Sequence, residues 1–486
     1  MDERTMPLLG ALLRHKRSAH TALHVPGHKS GKGVQPAADI LRELMTIDLT
    51  ELTGLDDLHA PEGVIDEAQR LAAACFGAEE TLFLVNGSTV GNIAAILSLC
   101  MPGDVLLVQR NAHKSVIHGL MLAGAKAVFL APRHDAESGL PGGVAAEELE
   151  LALRRYPDAK GVFITNPNYY GMGGDVRRLA DLAHAYGKPL IVDEAHGAHY
   201  GFHPDVPPSA LQGGADLVVQ STHKMLTAMT MGAMLHMQGG RIDRDIVKQR
   251  LSMLQSSSPS YPIMASLDAS RQLVQTEGRT WLERGLHAVG RLYAALAQRP
   301  WYRSIAGAPT PAYETKDPFK VAVSDATGTL DGFRLRDELE KKGIMPEMAD
   351  PRYVLLAFSP ASDEEDAERT ADALERIADE YGLPGKTTAR PRSDDGASFV
   401  YPGGCSEPVA FGLDNRAETM PVPVAEAAGK LAGEMVIPYP PGIPVLYAGE
   451  RITEETARYL RSLSERGARF QGATDPKLHT IRIRLR

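Results

Sequence analysis

Short apolar runs alternate with helical patterns through the first half of the chain. The strand-like runs occupy residues 81–85, 104–109, 125–131, 160–167, 189–197 and 215–224. Helical patterns lie between them, as at residues 65–78 and 91–100. Continuous apolar runs joined by helices are typical of a parallel sheet with crossover connections. The pattern therefore predicts an α/β fold built on a mainly parallel sheet.

The pattern changes after about residue 265, which predicts further domains. One long helix, or two, follows residue 267, and short strands then alternate with amphipathic helices as in a small α+β domain. Residues 385–396 are polar and charged and contain proline, as in a linker. The predicted parts are an N-terminal arm (1–30), a large domain (31–265), a small α+β domain (266–384) and a C-terminal domain (397–486).

Composition narrows the class of protein. The chain has 486 residues, of which 43% are hydrophobic, so global disorder is excluded. A net charge of −9 argues against a general nucleic-acid binder. The 3 cysteines have no CxxC spacing, which disfavours a zinc ribbon or a disulfide framework. No run of apolar residues is long enough for a membrane span, and the charge order at the N-terminus is the reverse of a signal peptide. We expect a cytoplasmic protein without nucleic-acid or membrane partners.

Two charged residues follow apolar runs, where parallel sheets place their ligand crevice. Lys224 comes after the run 215–220, and taken alone it could be a surface loop lysine. Asp193 ends the run 189–193 and could be a metal ligand, a helix cap or a partner for a protonated heterocycle. The letters DEAH at 193–196 resemble a helicase box, but the chain has no GxxxxGK[ST] phosphate loop. A helicase is therefore excluded.

Two further segments have more than one interpretation. Residues 86–92, NGSTVGN, lie between a strand and a helix, where hydroxyls and backbone amides form either an anion site or an ordinary N-cap. His196, His199 and His203 have a spacing that could suggest metal ligands. Because glycines separate them, structural or ring-contacting roles are favoured, and we expect no metal.

The three strand ends together match the needs of pyridoxal phosphate. Its aldehyde requires a lysine amine, its pyridine nitrogen requires an acid, and its phosphate requires a helix N-terminus. The phosphate segment, Asp193 and Lys224 supply these groups in chain order. The combination predicts a pyridoxal-phosphate enzyme.

At this point a family resemblance can be named. The chain resembles the Orn/Lys/Arg decarboxylase family of fold-type-I pyridoxal-phosphate enzymes, and in particular its short bacterial form, in which biosynthetic arginine decarboxylase is frequent. The segments that carry the likeness, in order, are 24–33, 48–63, 86–92, 110–116, 165–171, 192–199, 221–224, 256–268 and 434–444. The stretch 402–420 is less familiar and is expected to tune substrate choice or form an interface.

The resemblance implies roles for individual residues. Lys224 would form a Schiff base with the cofactor, Asp193 would pair with the pyridinium nitrogen, and His113 would stack on the ring. Lys224 or His223 would return a proton to the substrate Cα. His196 would lie beside the ring or the substrate carboxylate, or only support the site from behind. The residues expected at the phosphate are Gly87, Ser88, Thr89, Ser221 and His223.

The resemblance also implies a shared site and a basic substrate. Ser256, Ser257 and Ser258 would reach the phosphate in a neighbouring subunit of a homodimer or larger oligomer, unless they form a flexible linker. Glu347 and Glu434 are candidate partners for the distal cation of the substrate, or else surface and domain-contact glutamates.

Arginine, converted to the polyamine precursor agmatine, is the expected substrate, with lysine and ornithine as alternatives. Other reaction classes also remain open. They are a pyridoxal-phosphate aminotransferase, a carbon–carbon lyase, and an inactive cofactor-binding protein.

Overall fold

The computed structural model describes residues 5–18, 21–305, 309–388, 401, 403–413, 418–439 and 442–485. From residue 389 onward, the linker predicted at 385–396 lies outside the described residues. In the stretch 402–420, residues 402 and 414–417 lie outside them as well.

Helices and strands alternate along the described chain. The helices are α1 (Pro7–Arg17), α2 (Ile40–Met45), α3 (Val64–Phe76), α4 (Gly87–Leu99), α5 (Lys114–Ala123), α6 (Ala146–Arg155), α7 (Val176–Ala185), α8 (Thr222–Met225), α9 (Arg244–Leu254), α10 (Tyr261–Ala297), α11 (Gly332–Lys341), α12 (Glu364–Tyr381) and α13 (Glu454–Glu465). The strands are β1 (Glu80–Leu84), β2 (Val105–Gln109), β3 (Lys126–Leu130), β4 (Pro132–His134), β5 (Pro141–Val144), β6 (Val162–Thr165), β7 (Met172–Gly173), β8 (Leu190–Asp193), β9 (Leu217–Gln220), β10 (Ala233–Met237), β11 (Tyr302–Ser304), β12 (Thr315–Lys316), β13 (Lys320–Asp325), β14 (Met348–Ala349), β15 (Val354–Ala357), β16 (Val409–Ala410), β17 (Thr419–Pro423), β18 (Ile437–Pro438), β19 (Phe470–Gln471) and β20 (Thr480–Arg484).

The largest sheet has the order β1-β10-β9-β8-β6-β2-β3-β16. Its central strands β9, β8, β6, β2 and β3 run parallel to one another. Antiparallel strands lie at both sides, with β10 between β1 and β9 and β16 beside β3. The predicted α/β fold with a mainly parallel sheet is confirmed.

Both faces of this sheet are buried, as its continuous apolar strands require. Alternate residues of β2 enter different cores: Leu107 packs with α3, α6 and α7, whereas Leu106 and Val108 pack with α4 and α5. The close approach of α4 depends on Gly91, because a Cβ built there would lie 2.7 Å from a methyl carbon of Val219.

Two smaller cores lie C-terminal to the large sheet. The sheet β11-β13-β15-β14 packs against α10, α11 and α12. The last core lies between residues 422 and 483 and includes α13 and the β17–β20 pair. No helix in the described chain combines the length and hydropathy that a membrane span requires. The domain boundaries stay a prediction.

Three elements differ from the sequence expectation. α4 begins four residues earlier than predicted, at Gly87, so the residues 86–92 enter the helix itself. The long helix after the serine run is a single helix of 37 residues that starts at Tyr261. β10 was not predicted, because its apolar run AMLHM follows the loop after Lys224 without a crossover helix.

Candidate active site

Nine residues predicted from the sequence lie around one cavity at the carboxyl ends of the strands. The cavity has a volume of about 290 Å³. Such a crevice is where open α/β sheets bind their ligands. The predicted residues in its wall are Gly87, Ser88, Thr89, His113, Asp193, His196, Ser221, His223 and Lys224.

One end of the cavity is suited to an anion. α4 begins at Gly87, whose φ of +73° is a left-handed conformation that glycine adopts at low cost. Ser221 Oγ donates a hydrogen bond to Ser88 Oγ at 2.8 Å, which brings two hydroxyls to this helix terminus. Backbone amides in the first turn of a helix have no partner within the helix. Together they can bind a phosphate group.

Asp193 provides the acid at the end of β8. Its side chain is buried, at 3% exposure. Its Oδ2 accepts a hydrogen bond from Asn92 Nδ2 at 2.8 Å, and its Oδ1 accepts one from the Ala195 amide at 3.1 Å. Burial raises the pKa of Asp193, whereas the nearby Lys224 ammonium and the two hydrogen bonds oppose that rise. A cationic ring nitrogen beside Asp193 would stabilise its ionised form further.

Lys224 lies in α8, just beyond the end of β9. Its Nζ lies 3.2 Å from His196 Nε2 and 5.7 Å from the centre of the Tyr169 ring. Burial lowers the pKa of Lys224 more than the nearby Asp193 raises it. The Lys224 side chain is nevertheless exposed to solvent at the cavity. A lysine with a lowered pKa is neutral more often than an ordinary surface lysine, and the neutral amine is the nucleophile toward a carbonyl.

His113 precedes α5 and is held by Ser115. Its Nδ1 accepts a hydrogen bond from the Ser115 amide at 3.2 Å and lies 2.9 Å from Ser115 Oγ. Burial, together with the cations Lys224 and Lys114, lowers the pKa of His113 to about 3. The imidazole is therefore neutral, as suits a ring that stacks on a heterocycle.

The other histidines diverge in their contacts. His223 Nδ1 lies 2.9 Å from the Gly232 carbonyl oxygen, to which it donates. His199 is fully buried with its Nε2 3.2 Å from Asp317 Oδ1, and His203 has its Nδ1 3.8 Å from Asp205 Oδ2. His196, His199 and His203 thus do not converge on one point. In the described part of the chain no group of three metal-ligating side chains was found.

The two candidate glutamates lie in different surroundings. Glu347 is exposed just before β14 and is absent from the cavity wall. Burial lowers the pKa of Lys224, and the charge of Glu347 opposes that change. Glu434 is buried within the C-terminal core, where its Oε2 accepts from the Thr474 amide and hydroxyl and its Oε1 accepts from the Arg482 amide. The structure therefore does not bring Glu434 to the cavity.

The serine run also lies away from this cavity. Ser256, Ser257 and Ser258 are exposed and are absent from the cavity wall. The Ser256 carbonyl oxygen lies 2.9 Å from His59 Nε2, and the Ser258 amide donates to Ser256 Oγ. Within a single chain these serines therefore do not contact the cofactor cavity. A role at a cofactor would require a second subunit.

Several residues near the cavity were not identified from the sequence. Tyr169 lies in the quoted segment 165–171, and its ring centre is 4.3 Å from that of His196. Tyr439 and Ile443 bring the C-terminal part of the chain into the wall. Lys320 is 2% exposed and close enough to lower the pKa of Lys224. Tyr439 and Ile443 lie in the quoted segment 434–444, but neither this segment nor 165–171 predicted these contacts.

The chain was compared with known families once this geometry was defined. The description "Orn/Lys/Arg decarboxylase, major domain" matches residues 6–298, and "Orn/Lys/Arg decarboxylase, C-terminal domain" matches residues 409–482. The chain belongs to the Orn/Lys/Arg decarboxylase family. It is thus an amino-acid decarboxylase of the pyridoxal-phosphate-dependent class.

Relatives of this decarboxylase match over nearly its full length. It is 43% identical over 481 residues to "Uncharacterized protein YaaO" of Bacillus subtilis, with 96% of each chain covered. It is 35% identical over 492 residues to arginine decarboxylase of the same organism, covering 99% of this chain and 98% of the relative. The crystal structure of lysine decarboxylase LdcF from Francisella novicida has a TM-score of 0.81 at 21% identity, covering 99% and 81% of the two chains. The predicted fold class is confirmed.

Proposed function

We propose that this decarboxylase converts arginine to agmatine and carbon dioxide with pyridoxal phosphate as its cofactor. The observation that carries the substrate is the 35% identity to a protein named arginine decarboxylase over 99% of this chain. The electrostatic influence of the Glu347 carboxylate on Lys224 supports a cationic substrate.

The donor set of the cavity fits pyridoxal phosphate. Asp193 supplies a carboxylate for the ring nitrogen, Lys224 an amine for the aldehyde, and the α4 terminus with Ser88 and Ser221 donors for the phosphate. All three kinds of group line the same cavity. When bound, pyridoxal phosphate supplies a ring that accepts the electron pair left as carbon dioxide departs.

The residues of this chain then have distinct tasks. Asp193 keeps the ring nitrogen protonated, and the neutral His113 packs on the ring face. Lys224 would hold the aldehyde carbon, and its Nζ would return a proton to the substrate Cα. His223 would do so only as an imidazolium, because the neutral ring carries its hydrogen on Nδ1, which donates to the Gly232 carbonyl oxygen. Burial of Asp193 excludes water from its carboxylate and strengthens its electrostatic effect on the ring nitrogen.

Glu347 is the proposed partner of the guanidinium. Burial lowers the pKa of Lys320 and Lys224, and the Glu347 carboxylate opposes that change, so its charge acts on both amines from outside the cavity wall. A carboxylate can bind guanidinium through two parallel hydrogen bonds, whereas an ammonium offers only a point contact. That difference favours arginine over lysine and ornithine.

The test is carbon dioxide release from purified protein with pyridoxal phosphate, run separately with arginine, lysine and ornithine. We expect the highest kcat/KM with arginine. A preference for lysine or ornithine would overturn the substrate while keeping the chemistry. Cofactor binding without carbon dioxide from any of the three would overturn the proposed reaction, and a keto-acid product would identify an aminotransferase.

We further propose a homodimer or larger homo-oligomer in which the serine run completes a neighbouring site. The exposure of Ser256–Ser258 supports this proposal, as does the exposure of the apolar residues Leu23 and Ile40, at 88% and 89%. Large apolar side chains this exposed often mark protein contacts.

Mixing two inactive variants tests the shared site. Lys224→Ala and the triple change of Ser256, Ser257 and Ser258 to Ala should each be inactive alone. If each dimer site takes Lys224 from one subunit and the serines from the other, an equal mixture that exchanges subunits should recover about a quarter of wild-type turnover. No recovery after demonstrated subunit exchange would contradict shared sites.

A further inference from the structure

Asn92 connects two parts of the site that lie on different elements. It lies on α4 and is 1% exposed. Its Nδ2 donates one hydrogen bond to Asp193 Oδ2 at 2.8 Å and a second to Ser115 Oγ at 2.9 Å. Both amide hydrogens are therefore used, one toward the end of β8 and the other toward the start of α5.

The hydrogens along this chain of contacts have only one consistent direction. An ionised Asp193 accepts only, so Nδ2 of Asn92, not Oδ1, must face it. Ser115 Oγ accepts from Asn92 and can then donate its own hydrogen to His113 Nδ1, 2.9 Å away. The Ser115 amide donates to the same nitrogen. His113 Nδ1 is thus an acceptor, and the single proton of the neutral ring resides on Nε2.

The position of that proton decides which nitrogen of the His113 ring can donate a hydrogen bond. His113 Nε2 lies beside Gly442, where a Cβ would approach it to 3.4 Å. The opposite tautomer would place an N–H on Nδ1 against the amide hydrogen of Ser115, which can only donate. Ser115 therefore excludes the wrong tautomer and a rotated ring at the same time.

The orientation of the Asn92 amide leaves one of its polar atoms unsatisfied, which indicates that the contact with Asp193 sets this orientation. Asn92 Oδ1 is buried and has no hydrogen-bond partner among the described residues. A buried unsatisfied carbonyl is destabilising. Turning the amide over would satisfy no more groups and would set an oxygen against the Asp193 carboxylate. The amide is thus oriented by the ionised acid.

We propose that Asn92 and Ser115 are positioning residues that fix the orientations of the Asp193 and His113 side chains relative to each other. Asn92 fixes the carboxylate rotamer directly, and the Ser115 hydroxyl that it bonds supports the histidine orientation that the Ser115 amide sets. The inference rests on the proposed function, because it assigns Asp193 to the ring nitrogen and His113 to the ring face of pyridoxal phosphate. It adds that the Asn92 amide links these two contacts.

Two variants separate the branches, a third restores the hydroxyl, and a fourth is the control. Asn92→Leu removes both donors, whereas Ser115→Ala affects only the histidine branch and Ser115→Thr retains the hydroxyl. Ser98→Ala changes a hydroxyl on the same helix that bonds only to the Ala95 carbonyl oxygen, outside the cavity wall. Each protein is titrated with pyridoxal phosphate without substrate, and the affinity and absorbance spectrum are recorded.

We expect Asn92→Leu to weaken cofactor binding and to lower kcat with arginine by roughly 10- to 100-fold, the factor that a hydrogen bond to a charged group is worth. KM should change little, and the absorbance bands of the bound cofactor should shift. Ser115→Ala should show a smaller change that Ser115→Thr reverses, and Ser98→Ala should match wild type.

Wild-type spectra and kcat in Asn92→Leu, or a Ser115→Ala defect that Ser115→Thr does not reverse, would overturn the inference. So would a loss of melting temperature without any spectral change, since that result indicates a purely structural role. Failure of the wild-type protein to bind pyridoxal phosphate would instead overturn the proposed function.

Discussion

The Nζ atom of Lys224 lies 3.2 Å from Nε2 of His196. Burial lowers the pKa of both groups, and the Lys224 charge lowers that of His196 further. A base with such a depressed pKa is a poor proton acceptor near neutrality. His196 therefore acts on Lys224 as a hydrogen-bond partner that orients the amine, and its ring also packs on Tyr169.

Replacing His196 separates these two contacts. His196→Phe retains a ring against Tyr169 but removes the bond to Lys224, whereas His196→Gln retains a polar atom near the Nε2 position. We expect His196→Phe to slow the reaction of Lys224 with added pyridoxal phosphate by roughly tenfold, about the value of one hydrogen bond. Stopped-flow absorbance measures this rate. If His196→Gln were slowed and His196→Phe were not, ring packing would be the dominant contact.

Glu347 and Glu434 were equivalent candidates in the sequence, and the structure predicts opposite phenotypes for them. Glu347→Gln should raise KM for arginine by roughly 10- to 100-fold, because guanidinium loses a charged partner. Its melting temperature should stay near wild type, since Glu347 is exposed. Steady-state kinetics and thermal melts give both values. An unchanged KM would remove Glu347 from substrate recognition.

Glu434→Gln is the matched comparison. Three donors, from Thr474 and Arg482, converge on the Glu434 carboxylate, and a glutamine would turn an N–H toward one of them. We expect a loss of about 1–3 kcal/mol of stability. KM for arginine should be unchanged. A raised KM without destabilisation would return Glu434 to the substrate site.

Much of the site could be predicted because its residues follow apolar strands. The end of a buried strand in a parallel sheet fixes where the next side chains lie, so Asp193, Lys224 and Ser88 could be placed together without coordinates. Asn92 belongs to the quoted segment 86–92, but its contact with Asp193 spans 101 residues of sequence. No local pattern reports such a contact.

The C-terminal contribution to the site was harder to predict. Glu434 has the residue type expected of a substrate partner, yet three hydrogen bonds hold its carboxylate inside the C-terminal core. Tyr439 and Ile443 line the cavity because of how this segment docks on the large sheet, which depends on Arg110. Contacts between segments that are far apart in sequence produce no periodic hydrophobic pattern in either segment, so they cannot be predicted from such a pattern.

Arg110 fastens this docked segment to the end of β2. Its guanidinium donates to the carbonyl oxygens of Pro444 and Val445 at 3.0 Å each and pairs with Glu450 at 2.9 Å. It also lies 4.1 Å from the centre of the Tyr447 ring. The guanidinium therefore satisfies backbone groups that would otherwise lack partners.

Arg110→Met should loosen the segment that carries Tyr439 and Ile443. We expect a loss of about 1–3 kcal/mol, because the Pro444 and Val445 carbonyl oxygens lose their donor, and a raised KM. Urea unfolding and steady-state kinetics measure the two effects. Arg154→Met, which removes an exposed helical pair with Glu150, is the control and should change neither. Wild-type KM in Arg110→Met would mean that the segment docks without this arginine.

Glu194, next to Asp193, predicts how stability varies with pH. It is 0% exposed, and its carboxyl accepts hydrogen bonds from the Ala210 amide and from Gln220 Nε2. Burial raises the pKa of Glu194 from 4.5 to about 8. Between these values the folded protein holds a proton that the unfolded chain has released. Stability attributable to Glu194 therefore falls as pH rises through this window and levels off above about 8.

Glu194→Gln should remove this dependence, because a neutral amide occupies the same volume. Gln220 can turn its own amide over to accept from the new side chain and donate to His236. Melts should be compared from pH 6.5 upward, since His236, with its pKa lowered from 6.5 to about 3, adds an opposite slope below that range. Subtracting the two proteins cancels the remaining titrating groups.

We expect wild type to lose up to about 1.4 kcal/mol per pH unit relative to Glu194→Gln between pH 6.5 and 8. Parallel stability curves for the two proteins would show that Glu194 is ionised in the fold, with its charge satisfied by Gln220 and the Ala210 amide alone.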